Sequence, residues 1–133
     1  MHEFEVNVRF SETDAFGSIN NTSYFIYLEE ARMKFFEALG MATNTQPPNF
    51  LLASTNCNFS AQTNVNQLLT IRTSLTKVGT KSCELFHEIL CSQTGKSIAK
   101  GHAVLVCYDF SKQKSEPIPE RIKDKLISEI VLH

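Results

Sequence analysis

The sequence predicts an α+β domain in which one long helix packs against one curved antiparallel sheet. Two observations carry that prediction. A strand-like segment at the N-terminus is followed by a single long helical stretch. Four further strand-like segments then succeed one another, separated by turn signals.

Phe4, Val6, Val8 and Phe10 alternate with Glu3, Glu5, Asn7 and Arg9, the period of two that marks a half-buried strand. Asp14, Gly17, Asn20 and Asn21 break the pattern with turn chemistry. A helix follows over about residues 22–39, with Tyr24, Leu28, Ala31, Phe35 and Leu39 at spacings of three and four. Asn20, Asn21 or Thr22 caps its start and Gly40 stops it. Glu30 and Lys34 are spaced as an i, i+4 ion pair. Residues 41–49 read as a loop containing Pro47-Pro48. The strands that follow are Leu51–Phe59, a stretch through Leu69, Ile71, Thr73 and Leu75, then Ser82–Cys91 and Ile98–Tyr108. Gly79-Thr80 and Thr94-Gly95-Lys96 supply turns, and residues 120–131 read as a C-terminal amphipathic helix. The sheet has edges that must be covered or paired, so two copies joined edge to edge are expected.

Residues 1–133 are read as one domain, a length that buries a proper core. The formal net charge of −1 gives no electrostatic footprint for nucleic acid or an anionic membrane. Apolar runs fall short of the roughly 18–20 residues of a membrane span, and the first ten residues lack the pattern of a secretory signal. Cys57, Cys83, Cys91 and Cys107 form no C-x-x-C pair, which signals neither zinc nor redox chemistry. They read as reduced, mostly buried thiols in a cytoplasmic protein. No metal or cofactor is expected.

The chemistry is concentrated in residues 8–39. A strand ends, an acidic residue follows, and a glycine-containing turn leads into a helix with an Asn/Thr/Ser-rich start. Such a helix start offers unpaired N–H groups and a positive dipole end to developing negative charge. On local sequence alone Asp14 reads as a turn or helix cap.

Val8-Arg9-Phe10, Glu12-Thr13-Asp14, Gly17, Asn20-Asn21, Tyr24 and Glu29-Glu30-Ala31-Arg32 occur in order over about thirty residues. This stretch resembles the 4-hydroxybenzoyl-CoA thioesterase-like, or acyl-CoA thioesterase, branch of the hotdog family. Lys81-Ser82, Gly95, Ala99-Lys100-Gly101 and Ile118-Pro119 extend the resemblance along the chain. It implies a hotdog fold, with the long helix wrapped by the sheet, and hydrolysis of acyl-CoA or acyl-carrier-protein thioesters to a free acid and a thiol. It implies Asp14 as the catalytic carboxylate, nucleophile or general base, and the Asn21 amide as oxyanion donor, with Gly17 allowing close approach and Asn20 orienting carbonyl or water. Tyr24, Phe25 and Ser82 are the candidate substrate contacts; Tyr24 and Phe25 also read as core packing, and Ser82 as an ordinary strand serine. A homodimer or homotetramer, with the substrate bound between subunits, is implied as well.

The sequence departs from the pattern where many relatives carry a turn histidine: Ser18 and Asn21 stand there. That keeps a second reading open, a non-catalytic acyl-CoA or acyl-carrier binding module. A hydratase of the same fold needs a site histidine, and His2, His87, His102 and His133 all lie outside the turn and the helix. His87 and His102 read as satisfied strand histidines, Glu12 as a solvated strand end, and Glu30 and Arg32 as interface or surface charges.

Overall fold

The computed structural model describes residues 2–14, 16–41 and 49–130. Strand β1 (His2–Asn7) leads through a 3-10 turn (Phe10–Glu12) into helix α1 (Asn21–Ala38). Strands β2 (Asn49–Phe59), β3 (Leu68–Val78), β4 (Ser82–Cys91), β5 (Ser97–Asp109) and the short β6 (Lys114–Ser115) follow, and helix α2 (Glu120–Ser128) ends the succession. The sheet order is β1-β3-β4-β5-β2, with β6 beside β5. Every strand pair in it is antiparallel, as the sequence led us to expect.

The inward residues of β4, Cys83, Leu85, His87 and Ile89, share one parity and are buried. Helix α1 lays Tyr24, Tyr27, Leu28, Ala31, Phe35 and Phe36 on that face. Asn20 is the N-cap, its side-chain oxygen accepting from the Thr22 amide at 3.0 Å. Gly40, at φ +77°, supplies the left-handed residue that ends the helix.

Three local expectations are corrected. Phe10 is no strand residue: pairing runs through Val8, whose amide donates to the Gln67 carbonyl at 3.0 Å, and then the chain turns. The Glu12 carboxylate caps the turn by accepting from the Arg9 amide at 2.9 Å, and Phe10 is left 82% exposed. Lys34 forms no ion pair with Glu30 among the described residues. Its ammonium lies 5.6 Å from the centroid of the Phe4 ring instead. Arg32 is no surface charge, being 8% exposed. The Pro47-Pro48 loop lies outside the described residues. Strand β6 had no alternation by which to be foreseen.

The buried apolar residues fall into two clusters. One, around Val8, Ile19, Tyr24, Leu28, Ile71 and Ile89, lies under the start of α1. The other, around Phe35, Phe36, Leu75, Leu85 and Leu105, is closed by Ile122 and Leu126 of α2. Between them the sheet carries a polar row, because Thr73 pairs with His87 and His87 with Gly101.

His87 is fully buried, with Nδ1 2.9 Å from the Thr73 hydroxyl. Burial first, then the nearby Arg32 and His102 charges, push its pKa down to about 3 from an ordinary 6.5. Below pH 6.5 the unfolded chain therefore takes up a proton that the folded chain refuses. The stability due to neutral His87 is intact above that pH and is lost as pH falls from 6.5 toward 3. Urea midpoints measured at pH 7, 5.5 and 4.5 are expected to fall more steeply for the wild type than for His87→Gln.

Candidate active site

The site is built where β1 hands over to α1. Residues 13–19 fold back on themselves, with Thr13 bridged to Ile19, and Ser18 is bridged to Asn64 beyond β2. The Asp14 amide donates to the Ser18 carbonyl at 2.7 Å, and the Gly17 amide to the Asp14 carbonyl at 3.1 Å. Gly17 has φ +81°, a conformation that a side chain would strain, so its role here is to let the turn close.

The exposed Asp14 carboxylate is held by this turn. Oδ1 accepts from the Phe16 amide at 2.8 Å and from the Ser18 amide at 3.3 Å. Oδ2 has no partner among the described residues. One oxygen is thus fixed by backbone dipoles and the other is left unbonded among the described residues.

Helix α1 starts against this turn. The Asn20 amide donates to the Glu12 carbonyl at 2.8 Å, and the Ser23 hydroxyl reaches the same oxygen at 3.5 Å. The Asn20 side chain is spent on capping, so Asn20→Ala is expected to cost about 1 kcal/mol, read as a lower thermal midpoint. Asn21, the first helical residue, has no acceptor for its amide among the described residues; a first-turn N–H has none within its own helix.

Asp14, Ser18, Ile19, Asn21, Tyr24, Phe59, Ala61 and Gln62 line one cavity of about 200 Å³. The sequence reading supplied the α1 half of this wall. It missed Phe59, Ala61 and Gln62, which arrive at the end of β2 and carry no local signal. The Tyr24 ring lies 4.9 Å from that of Phe59, and its hydroxyl is bonded to Thr63 Oγ1 at 2.9 Å. Tyr24 therefore offers the cavity its ring, while burial raises the pKa of its phenol. Ser18 Oγ is 3.4 Å from Gln62 Oε1.

Two further residues marked for substrate contact lie apart from this cavity within one chain. Phe25 is 36% exposed on the outer side of α1. Ser82 opens β4 opposite Val106, whereas the end of β4, Cys91, pairs with Leu69 near the Asp14 turn.

Glu12 sits beside the site without lining it. Burial pushes its carboxyl up, but the Arg9 amide, the Tyr27 hydroxyl and the Arg9 guanidinium together hold it below the usual carboxylate range. Among the described residues no cluster of His, Cys, Asp or Glu is arranged to hold a metal ion. Likewise no helix among them is long and apolar enough to cross a membrane.

Comparison with known proteins places this geometry. The family model of the thioesterase-like superfamily matches residues 8–126. The uncharacterized protein YsmA of Bacillus subtilis is 33% identical over 129 residues, covering 97% of this chain and 84% of that protein. The long-chain acyl-CoA thioesterase FadM of Escherichia coli is 27% identical over 124 residues, covering 92% and 94%. Among solved structures, a predicted thioesterase from Bacillus stearothermophilus superposes with a TM-score of 0.88 at 26% identity, covering 98% and 97%. The helix wrapped by an antiparallel sheet and the match from Val8 to Leu126 agree, and the chain belongs to the thioesterase-like superfamily as a hotdog-fold thioester hydrolase.

Proposed function

We propose that this chain hydrolyses acyl-CoA thioesters to a free acid and a thiol, with Asp14 as the acting carboxylate. The observation that carries the reading is the meeting, in one cavity, of the open Asp14 oxygen and the unpaired first-turn region of α1 at Asn21. Asp14 either attacks the carbonyl carbon or takes a proton from a water that does so. The carbonyl oxygen gains charge and is met by the Asn21 amide at the positive end of the helix. The carbon–sulfur bond then breaks, and the thiolate leaves readily, since a thiol of pKa about 8.5 is a good leaving group. If Asp14 has taken a proton from water, that proton passes to the thiolate. If Asp14 has attacked, a water hydrolyses the acyl–Asp14 anhydride, releasing the acid and restoring the carboxylate. The named activity of FadM on long-chain acyl-CoA supports CoA as the thiol carrier.

A second reading rests on Ser18. A serine bonded to Gln62 occupies the turn where a histidine stands in many relatives, as a binding module that had lost hydrolysis would show. We place the working unit in a homodimer formed along β2. That strand is bonded on one side only, to β5, and exposes Leu51, Leu52 and Phe59. Neighbouring Phe25 and Met33 of α1 are exposed as well. The cysteines at 57, 83, 91 and 107 are free thiols, which supports a reducing compartment, the cytoplasm.

The test is thiol release from short, long and aromatic acyl-CoAs, followed with a thiol-reactive dye. Saturable turnover of any of them supports hydrolysis. Saturable binding with no thiol released from any member of the panel moves the reading to the binding module.

A further inference from the structure

Two cavities share Phe59 as a wall. The Asp14 cavity, about 200 Å³, lies on the helix side of the sheet, where Phe59 stands opposite the buried Ala99 and against the Tyr24 ring. A larger cavity, about 410 Å³, is lined by Asn58, Phe59, Ser60, Phe86, Lys100 and His102 among others. It opens on the other face of the sheet. Phe86 alternates with the inward Leu85 and His87 of β4, and the exposed Lys100 and His102 alternate with the buried Ala99, Gly101 and Ala103 of β5. The rings of Phe86 and His102, both in its lining, have centroids 5.2 Å apart.

The surroundings of Phe59 are held in place, and its own side chain is not. Tyr24 is buried, with its hydroxyl bonded to Thr63 Oγ1 at 2.9 Å. The backbone just past Phe59 is tied to β5. There the Ser60 amide donates to the Ile98 carbonyl at 2.8 Å, and the Ser60 hydroxyl reaches the Ser97 and Ile98 carbonyls at 3.2 and 3.1 Å. Phe59 itself is 42% exposed. Shortening it therefore removes a ring from between the cavities without untying the strand that carries it.

An apolar cavity of about 150 Å³ holds one benzene. The Asp14 cavity is of that order, so it holds an acyl group of one ring, or a short chain of the same bulk, before the chain meets Phe59.

We propose that Phe59 is the specificity-determining residue that ends the acyl pocket, and that the preferred substrates carry acyl groups of single-ring bulk. This rests on the reading of the Asp14 cavity as the hydrolytic site. A longer chain leaves the carbonyl between Asp14 and the Asn21 amide, follows the Tyr24 ring and is stopped by Phe59. With Phe59 cut back, the chain continues into the larger cavity against Phe86.

The experiment is kcat/KM for acetyl-, hexanoyl-, benzoyl- and dodecanoyl-CoA with the wild type, Phe59→Ala and Phe59→Trp. The wild type is expected to prefer hexanoyl and benzoyl over dodecanoyl. Phe59→Ala is expected to raise the dodecanoyl-to-hexanoyl ratio by roughly tenfold or more, and Phe59→Trp to lower the hexanoyl-to-acetyl ratio. Ratios taken within one variant separate this from a weakened β2 dimer, which lowers all four rates together. A wild type that prefers dodecanoyl overturns the proposal, and so does an unchanged ratio in Phe59→Ala. Should Phe59→Ala fail to fold, Phe59→Leu makes the same comparison. If the wild type releases thiol from none of the four, the hydrolysis reading fails, and the same ratios are then read from dissociation constants of the intact acyl-CoAs. Ratios there that ignore residue 59, or no binding at all, overturn the proposal.

Discussion

Replacing Asp14 by asparagine is expected to lower the turnover number for acyl-CoA by about 10²- to 10⁴-fold, with little change in thermal midpoint. The side chain is exposed and contributes to the turn chiefly through Oδ1, which accepts from the Phe16 and Ser18 amides. An asparagine carbonyl accepts the same two bonds, so the turn survives. What disappears is the negative charge and basicity at Oδ2, the atom left open toward the cavity. The proposed function assigns binding to the apolar wall of Tyr24, Phe59 and Ala61, which line the cavity, so KM is expected to move far less than kcat. Thiol release measured side by side with circular dichroism checks both halves. A folded Asp14→Asn that retains wild-type turnover removes Asp14 from the mechanism.

Gly101→Ala is expected to destabilise the chain by roughly 1–3 kcal/mol, lowering the thermal midpoint by roughly 5–10 °C. A Cβ on Gly101 would stand 2.5 Å from the Asn56 carbonyl oxygen of β2 and 3.3 Å from Leu28 Cδ1. The first contact is with backbone, which cannot swing aside as a flexible side chain can. Relief requires β2 to move away from β5, or α1 to lift from the sheet. Since β2 carries Phe59 into the Asp14 cavity, the same variant is expected to raise KM for acyl-CoA. Gly95→Ala is the control, since nothing lies within 4 Å of a Cβ there and only the backbone at φ +75° is strained. Equal midpoints for the two variants would remove the close approach at Gly101 as the cause.

The strands and the long helix were legible because their signals are local. Alternation in β4 and spacings of three and four in α1 follow from the geometry of one segment lying on one apolar surface. The Asp14 turn was legible for the same reason: Asp14, Gly17, Asn20 and Asn21 sit within eight residues, and their turn and cap chemistry is written in residue type. Local reading failed at Phe10, where alternation continued past the last pairing at Val8 and the Glu12 cap turned the chain. It also failed at Lys34, because an i, i+4 pair on an exposed helix is worth little and the nearby Phe4 ring attracts the ammonium instead.

By itself the sequence determined the order of elements, the antiparallel plan and the half of the site that α1 and its preceding turn supply. Only the tertiary structure decided which distant residues complete it. Phe59, Ala61 and Gln62 reach Asp14 because β2 pairs with β5 at the sheet edge, and Thr63 takes the Tyr24 hydroxyl. It also decided that Arg32 Nη1 and His87 Nε2 lie buried without a hydrogen-bond partner among the described residues. A charge in mid-helix and a histidine in mid-strand look the same in sequence whether they face water or the core. Strand register sets that difference, and register is fixed by contacts between residues far apart in the chain.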